Sequence, residues 1–321
     1  MIQVLVQTGT GDAQKVLDIT EAVSRVSYRS TRVIAPVSCE ISLMPHEALD
    51  AIDMGNVVKI KDGDTVLHNG YVFRRRKKPD GLTLTCYDQL RYLRNEDVIA
   101  VENKTVTEIA QLYVDRFGLH AGEMADTGFA IPSIIETKKE ILDIINDGLK
   151  DTVAATGQLY TMYDDDAKLR LVNLKDMFLP YTLTSDTSAL DYSLSVSIDS
   201  NVYNQFKVVR QNPDDGVFET FVARDGDKIA RWGLLQMVHE VDKEYTEDMI
   251  NSVLDALAGL YGDPVVTMDL KTIGLRGLRG GNSVHVDLPG VIDAGWYLVD
   301  EVKHSYGDSG HIVDLRLLGV G

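Results

Sequence analysis

Three consecutive carboxylates, Asp164-Asp165-Asp166, could bind a divalent cation through their oxygens. They lie between two alternating stretches, residues 158–163 and 168–172, which predict a β-hairpin with the carboxylates in its turn. Adjacent side chains in such a turn point in different directions, and no other acidic cluster is spaced to complete a coordination shell. We therefore predict a solvent-exposed turn here and no metal site.

Other chemistry-bearing patterns point the same way. The seven histidines are scattered and form no HxxxH or HxH pair that could start a zinc site. Neither GxSxG nor a P-loop glycine motif occurs. Glycines cluster in Gly-Leu-Arg-Gly-Leu-Arg-Gly-Gly, residues 274–281, but a predicted strand follows, which indicates a β-corner or a mobile loop rather than a phosphate site. We therefore predict that the protein is not an enzyme and holds no catalytic residue, metal or cofactor.

The composition is that of a globular protein with an acidic balance. Its 32 Lys plus Arg against 49 Asp plus Glu give a net charge of −17, which argues against a nucleic-acid-binding surface. Cys39 and Cys86 form no CxxC pair and predict two reduced, half-buried thiols. No signal peptide and no apolar run of 18 residues is apparent, so we expect a soluble protein made in the cytoplasm.

Strand-like patterns dominate the first part of the chain, and a mixed region follows. Residues 1–87 predict about six strands with short turns, the pattern of a barrel or a curled sandwich. Thr105 and Glu108 form a capping box before a helix, and an apolar stripe predicts a second helix over residues 139–155. With the hairpin above, these elements predict a compact α+β insert.

The remaining third returns to strands. Residues 217–223 and 229–238 alternate on either side of Asp225-Gly226, which predicts a tight turn between two strands. Thr246 is placed to cap a helix over residues 246–261. We predict a mainly β fold in three domains: a β-barrel module over residues 1–96, the α+β insert over residues 97–180, and a second β-barrel module over residues 181–321 that carries the helix.

One stretch occurs twice, at residues 54–93 and 281–318. Both copies open with Gly-Asn-x-Val, at Gly55 and Gly281, and both continue to a glycine followed by aromatic residues, at Gly70 and Gly295. Chance similarity of two three-stranded meanders is the alternative explanation. If the repeat is real, the chain carries two related β-modules.

The one basic run begins with Arg74, Arg75 and Arg76 at the end of a predicted strand, and the same place in the second copy holds Asp300 and Glu301. The simplest interpretation is an edge hairpin blunted by charge. The alternative is a subunit interface in which the basic edge of one module faces the acidic edge of another.

Residues 85–95, Thr-Cys-Tyr-Asp-Gln-Leu-Arg-Tyr-Leu-Arg-Asn, follow Gly-Tyr-Val-Phe at residues 70–73. This sequence resembles the XkdQ-type hub proteins of contractile phage tails, found in PBSX-like prophages and phage-tail-like bacteriocins. The similarity covers most of residues 50–180 well and the C-terminal half more loosely. No catalytic motif comes with it.

The resemblance implies a structural baseplate hub located in the virion or tail particle. It implies a homotrimer whose two tube-like barrels per chain give pseudo-sixfold symmetry, joining a hexameric tail tube to a trimeric spike and contacting other baseplate proteins. From the acidic charge and the lack of a long apolar run we expect no specific nucleic-acid binding and no stable membrane insertion. Two alternatives remain: a peptidoglycan hydrolase, for which no pair of acids is placed, and a cell-wall-binding tail component, for which Trp232 and Trp296 are the candidate platforms.

Overall fold

The computed structural model describes residues 2–9, 11–184, 189–199, 201–212 and 217–319. In these residues the fold is mainly β with few helices, as predicted. Two β-modules, which we call the first and second module, share one thirteen-stranded sheet. Two smaller α+β units are inserted between their strands. The domain boundaries set from the sequence stay predictions.

The first module is an antiparallel sheet in the order β2-β1-β5-β6-β7-β4-β3. Alternation sets its buried face, because Cys39, Ile41 and Leu43 on one side of β4 are all buried. The two thiols are fully buried rather than half-buried, since Cys39 lies opposite Cys86 of β7 inside the core. The strands are β1 (Ile2–Thr8), β2 (Lys15–Asp18), β3 (Val23–Thr31), β4 (Ser38–Leu43), β5 (Val57–Asp62), β6 (Thr65–Lys78) and β7 (Gly81–Tyr87).

The second module continues the same sheet in the order β14-β18-β21-β20, with β19 beside β20 and β13 parallel to β19. The two modules join where β20 also pairs with β3, in a register that runs from Glu301 opposite Thr31 to Tyr306 opposite Val26. The strands are β13 (Phe178–Thr184), β14 (Ala189–Ser197), β18 (Val265–Ile273), β19 (Ser283–Leu288), β20 (Ile292–Gly307) and β21 (Gly310–Gly319).

The first inserted unit has the predicted capping box and hairpin. Thr105 accepts from the backbone N–H of Glu108, whose carboxylate accepts from the Thr105 N–H, and the helix α1 begins there. The loop of the β11–β12 hairpin is residues 166–167, both with positive φ, as in a type I′ turn. The elements are β8 (Glu96–Lys104), α1 (Val106–Arg116), β9 (Ala121–Met124), β10 (Ile131–Glu140), α2 (Ile141–Thr156), β11 (Tyr160–Asp164) and β12 (Leu169–Asn173).

The second inserted unit packs one helix against a three-stranded sheet, and here one prediction is wrong. Asp225 does not open a tight turn between two strands. It caps a short helix, accepting from the Lys228 N–H at 2.9 Å, and Gly233 ends that helix with a φ of 79°. The elements are β15 (Gln205–Asn212), β16 (Val217–Arg224), α3 (Gly226–Trp232), β17 (Gln236–Val241) and α4 (Glu247–Tyr261).

The repeat is visible in the backbone hydrogen bonds of both modules. In the first, the Gly55 N–H donates to the Val72 carbonyl at 2.8 Å. In the second, the Gly281 N–H donates to the Val299 carbonyl, also at 2.8 Å. Both glycines have positive φ, 80° and 94°, which explains why glycine opens each copy.

The asparagine that follows each of these glycines forms the same hydrogen bond in both modules. The side-chain oxygen of Asn56 accepts from the Asp53 N–H at 2.8 Å, and that of Asn282 accepts from the Arg279 N–H at 2.7 Å. Each asparagine thereby closes the turn that leads into the first strand of the meander. The Gly-Asn signature is therefore a structural device present in both modules.

The β-bulges also coincide, and they correct one detail of the alignment. β6 is bulged between Val72 and Arg74, and β20 between Val299 and Glu301, so Glu301 is the counterpart of Arg74. The sequence comparison matched Gly295 with Gly70. Counting from the bulges places the counterpart of Gly70 two residues after Gly295, because the two glycines lie at different distances from the bulge.

Asn282→Ala is expected to lower the free energy of unfolding by about 1–2 kcal/mol. Asn282 is buried, and its side chain accepts a hydrogen bond from the Arg279 N–H and donates one to the Met177 carbonyl, so the variant loses both bonds. Asn56→Ala is the matched control with one such bond and less burial. Urea denaturation of both variants measures the difference. Equal losses, or no loss for Asn282→Ala, would contradict the assignment.

Candidate functional site

The junction between the two modules is the candidate functional site, because it is a specific contact between two equivalent building blocks. Four segments meet there: β3, β20, the loop of residues 274–281, and the tip of the β11–β12 hairpin. We call this contact the module junction. It is the internal example of how one module binds the next.

Four stacked aromatic rings form its centre. Tyr28 stacks on His304 at 4.6 Å between ring centroids, His304 lies 5.2 Å from His311, and His311 stacks on Tyr306 at 4.0 Å. His304 is fully buried, with one ring nitrogen 2.8 Å from the Leu278 carbonyl and the other 2.9 Å from His311. Burial lowers the pKa of His304 to about 4, so its imidazole is neutral at pH 7.

Ion pairs border this stack. Arg32 donates through Nε to Asp300 at 3.0 Å, and its backbone N–H donates to the Asp300 carbonyl at 2.7 Å. Arg29 forms an ion pair with Glu301. The two acidic residues predicted to lie at a module contact are therefore engaged by arginines of the same chain. Their predicted contact with another chain stays a prediction.

The backbones approach closely at one glycine. A Cβ on Gly280 would lie 2.1 Å from the carbonyl carbon of Thr31 and 2.4 Å from the nitrogen of Arg32. The Gly280 N–H donates to the Ser30 hydroxyl at 3.1 Å. Only glycine fits where the loop crosses the end of β3.

The glycine-rich loop carries two arginines that connect separate parts of the chain. Arg276 forms an ion pair at 2.9 Å with Asp62, a buried residue of the first module. Arg279 lies 4.1 Å over the ring of Tyr163 and donates to the Asp164 carbonyl at 3.2 Å, both in the first inserted unit. The loop is thus a packed corner that holds three units together, which explains its Gly-Leu-Arg repetition.

The triple aspartate turn is solvent-exposed at its tip, Asp166, as predicted, but its carboxylates also make specific contacts. Asp166 at the hairpin tip binds Lys59 at 2.8 Å and the Asn69 amide at 2.8 Å, both in the first module. Asp165 forms an ion pair with Arg170 at 3.2 Å. Asp166 thus docks the hairpin on the first module, while Asp165 forms an ion pair within the hairpin itself.

The segment that carried the family resemblance connects the first module to the first inserted unit. Asp88 caps a short helical turn, accepting from the Leu90 N–H at 3.1 Å. Gln89 donates through Nε2 to Asp164 at 3.1 Å and accepts from the His120 N–H at 2.9 Å. Burial raises the pKa of both Asp88 and Asp164. The role of this motif is therefore architectural.

The basic run lies on the outer half of β6. Arg74 is exposed, Arg75 donates to the Leu49 carbonyl at 3.1 Å, and Arg76 is 3.9 Å from Glu40. β7 flanks this half on one side, and no strand of the described residues pairs with the other side. Nothing in one chain brings these arginines to Asp300 and Glu301, so their role at a subunit interface stays a prediction.

Sequence reasoning missed the residues that form the junction. Arg29, Arg32, Arg276 and Arg279 were not singled out, because their partners lie far away along the chain. The signal for the loop was its repeated Leu-Arg pattern, which is unusual for a solvated corner. Trp296 lies 41% exposed against Phe178 rather than in a core.

Among the described residues there is no cluster of three His, Cys, Asp or Glu side chains that could hold a metal ion. No helix in the same part of the chain has the length and apolarity to span a bilayer.

The family model described as YQBQ-like matches residues 26–318. Two curated relatives come from Bacillus subtilis (strain 168). The protein YqbQ is 26% identical over 306 residues, which cover 94% of this chain and 92% of the relative. The phage-like element PBSX protein XkdQ is 25% identical over 299 residues, which cover 91% of each chain.

Solved structures share the fold over nearly the whole chain. The 43 kDa tail protein of prophage MuSo2 from Shewanella oneidensis superposes with a TM-score of 0.72, at 14% identity and 98% coverage of each chain. The E. coli c3393 protein, a component of the type VI secretion system with structural similarity to the T4 bacteriophage tail proteins gp27 and gp5, superposes with a TM-score of 0.57. That match has 10% identity and covers 93% of this chain and 74% of the other.

Proposed function

This chain belongs to the YQBQ-like family, and from that premise we propose that it is a structural baseplate hub of a contractile phage tail or phage-tail-like particle. Three copies form a pseudo-sixfold adaptor between the hexameric tail tube and the trimeric spike. The protein is made in the bacterial host and resides in the baseplate of the prophage, phage or bacteriocin particle. Its role is assembly, without catalysis.

The duplicated module is the observation that carries this proposal. Each chain has two equivalent β-modules, so a trimer has six. Six modules can match a sixfold tube on one side, while the three chains keep threefold symmetry on the other. The relative named as a PBSX protein and the fold shared with a prophage tail protein support a place in a tail. The fold shared with the protein likened to the T4 tail proteins gp27 and gp5 supports the same place.

The acidic balance suits this role. A net charge of −17 disfavours binding to DNA, as is required of a ring through which DNA passes. The arginines and acids of the module junction are used for contacts between protein parts. The hydrolase alternative gains no support from a specific observation, and neither does the cell-wall-binding alternative.

Deletion of the coding sequence tests the proposal. Particles produced without this chain are expected to lack the link between tube and spike, so electron microscopy should show tubes without spikes at nearly all ends. Complementation with the wild-type chain is the control and should restore the spikes. Normal spike-bearing tails without the chain would contradict the proposal, as would a purified monomer that degrades peptidoglycan.

A further inference from the structure

β14, at one end of the shared sheet, exposes an apolar face. Tyr192, Leu194 and Val196 alternate along it and are 49%, 41% and 65% exposed. β18 pairs with one side of β14, and no strand of the described residues pairs with the other. An apolar edge strand of this kind is a template for pairing with another chain.

The duplication identifies what covers the equivalent strand of the first module. β3 and β14 share a bulge at the same place, between Val23 and Arg25 in one and between Ala189 and Asp191 in the other. Counting from these bulges makes β3 the counterpart of β14, and in the chain β3 is covered by β20.

The burial of individual side chains follows this pairing. The counterparts of Tyr192 and Leu194 are Val26 and Tyr28, which are 1% and 8% exposed. They lie opposite Tyr306 and His304 of β20. Val26 and Tyr28 belong to the core of the first module, and Tyr306 of β20 packs against that core, so the pairing with the second module completes the burial of this face.

The strand that could cover β14 is also present in the chain. β20 is the counterpart of β6, and residues 301–305, which bind β3, correspond to residues 74–78. In β6 that stretch is the basic run, and its edge opposite β7 has no paired strand in the described part of the chain. In the described part of the chain, the edge of β14 and the edge of residues 74–78 in β6 are thus both unpaired.

We propose that β14 of one chain pairs antiparallel with residues 74–78 of β6 in a second copy of the chain, repeating the pairing of β3 with β20. The register carried over places Leu194 opposite Lys77 and Val196 opposite Arg75. The pairing rests on the duplicated modules, and the number of chains rests on the proposed function. Such a head-to-tail contact closes into a ring when the rotation between modules permits it.

The chemistry of the two edges fits a second copy. Both edges carry free backbone donors and acceptors, which antiparallel pairing satisfies. The aliphatic part of Lys77, which is exposed, can lie along the apolar side chains of β14 while its charge remains in water, and Arg75 is held by its hydrogen bond to the Leu49 carbonyl. Before assembly, the same charges protect the β6 edge from indiscriminate pairing.

Two differences make the contact between chains weaker than the module junction. Met54 stands where the second module has Gly280, so the close approach to the end of β3 cannot be repeated and the pairing must diverge near Val196. Ser195 is the counterpart of Arg29, so the ion pair with Glu301 is not reproduced. We therefore expect the ring to form with its tube and spike neighbours more readily than alone.

Cysteine cross-linking in assembled tail particles tests the register. Chains with Lys77→Cys are mixed with chains with Leu194→Cys, co-assembled with tube and spike proteins, and oxidised. The expected result is a covalent dimer of one chain of each kind, at least about tenfold more abundant than with the control pair Lys77→Cys and Ser193→Cys, whose side chains point to opposite faces. Both native cysteines are buried, so they do not interfere.

Each outcome decides a different statement. Particles in which the chain assembles with tube and spike but gives no excess of the Lys77–Leu194 cross-link would overturn the strand pairing and leave the hub intact. Failure of the wild-type chain to join tube and spike would overturn the proposed function and the number of chains, and the same cross-link measured on the purified chain at high concentration would then decide the strand pairing, its absence overturning it. The control for folding is that each single variant unfolds at the same temperature as the wild type. If a variant misfolds, a second pair in the same register, Arg76→Cys with Ser195→Cys, replaces it.

Discussion

Gly280→Ala is expected to lower the free energy of unfolding by about 3 kcal/mol or more and to loosen the contact between the modules. The added Cβ would lie 2.1 Å from a backbone carbon of Thr31 and 2.4 Å from the nitrogen of Arg32, so the strand end itself must move. That movement would break the hydrogen bond from Arg32 N–H to the Asp300 carbonyl. Urea denaturation measures the loss, and limited proteolysis detects the loosened junction.

Gly259→Ala is the matched control for this prediction. Gly259 lies in α4, and a Cβ there meets nothing within 4 Å. Alanine is the better helix former, so this variant should keep or slightly raise the stability, by up to about 1 kcal/mol. A Gly280→Ala protein as stable as the wild type would show that the loop and β3 do not approach as closely as described.

The local devices could be predicted from the sequence because each depends on neighbouring residues. The capping box at Thr105 needs only a threonine and a glutamate three residues apart. The Gly-Asn turn at Gly55 and Gly281 needs a residue that accepts positive φ and a side-chain acceptor. The repeat was detectable for the same reason: two copies of one local device preserve its residues.

Asp225 shows where the same local reasoning fails. Asp-Gly favours a tight turn, but aspartate is equally a helix cap, and the residues after it decide between the two. Here Asp225 caps a short helix over Gly226–Trp232, although alternation had suggested a strand. Short apolar stretches do not distinguish a helix from a strand by periodicity alone.

The module junction could not be predicted, because its pairs are remote in sequence. Arg29 and Glu301 are 272 residues apart, and their charges mark no local pattern. The same holds for Asp166 and Lys59, so the exposed turn was predicted but its docking contact with the first module was not. What the repeat did provide was the equivalence of Arg74 with the acidic edge of β20, and that equivalence carries the proposed contact between chains.

His304 is expected to make the protein less stable as the pH falls from about 6.5 to about 4. In the folded state burial lowers its pKa to about 4, while an unfolded histidine keeps a pKa near 6.5. Between these values the unfolded chain binds a proton that the folded chain does not, so acidification favours unfolding. From pH 7 to pH 5 this one group should remove about 2 kcal/mol of stability.

The geometry explains why the folded state does not take up this proton. Tyr28 and Tyr306 contribute rings to the stack, His311 presents a nitrogen at 2.9 Å, and Arg279 adds a positive charge nearby. Among the described residues no carboxylate raises the pKa of His304, whereas Asp62 raises the pKa values of His311 and Tyr306. A proton on His304 would thus be buried among groups that cannot stabilise it.

Urea denaturation at pH 7 and pH 5 measures this effect as a difference between proteins. His304→Gln should lose about 2 kcal/mol less than the wild type between the two pH values, although it is less stable at pH 7 because the ring stack is broken. The comparison is needed because burial also raises the pKa of Asp151 to about 6, which opposes the effect in both proteins.

Asn282→Ala, which is destabilised without losing a titrating group, should keep the wild-type pH dependence. If His304→Gln keeps it too, the proton taken up on unfolding belongs to another residue, and His304 has no role in acid sensitivity.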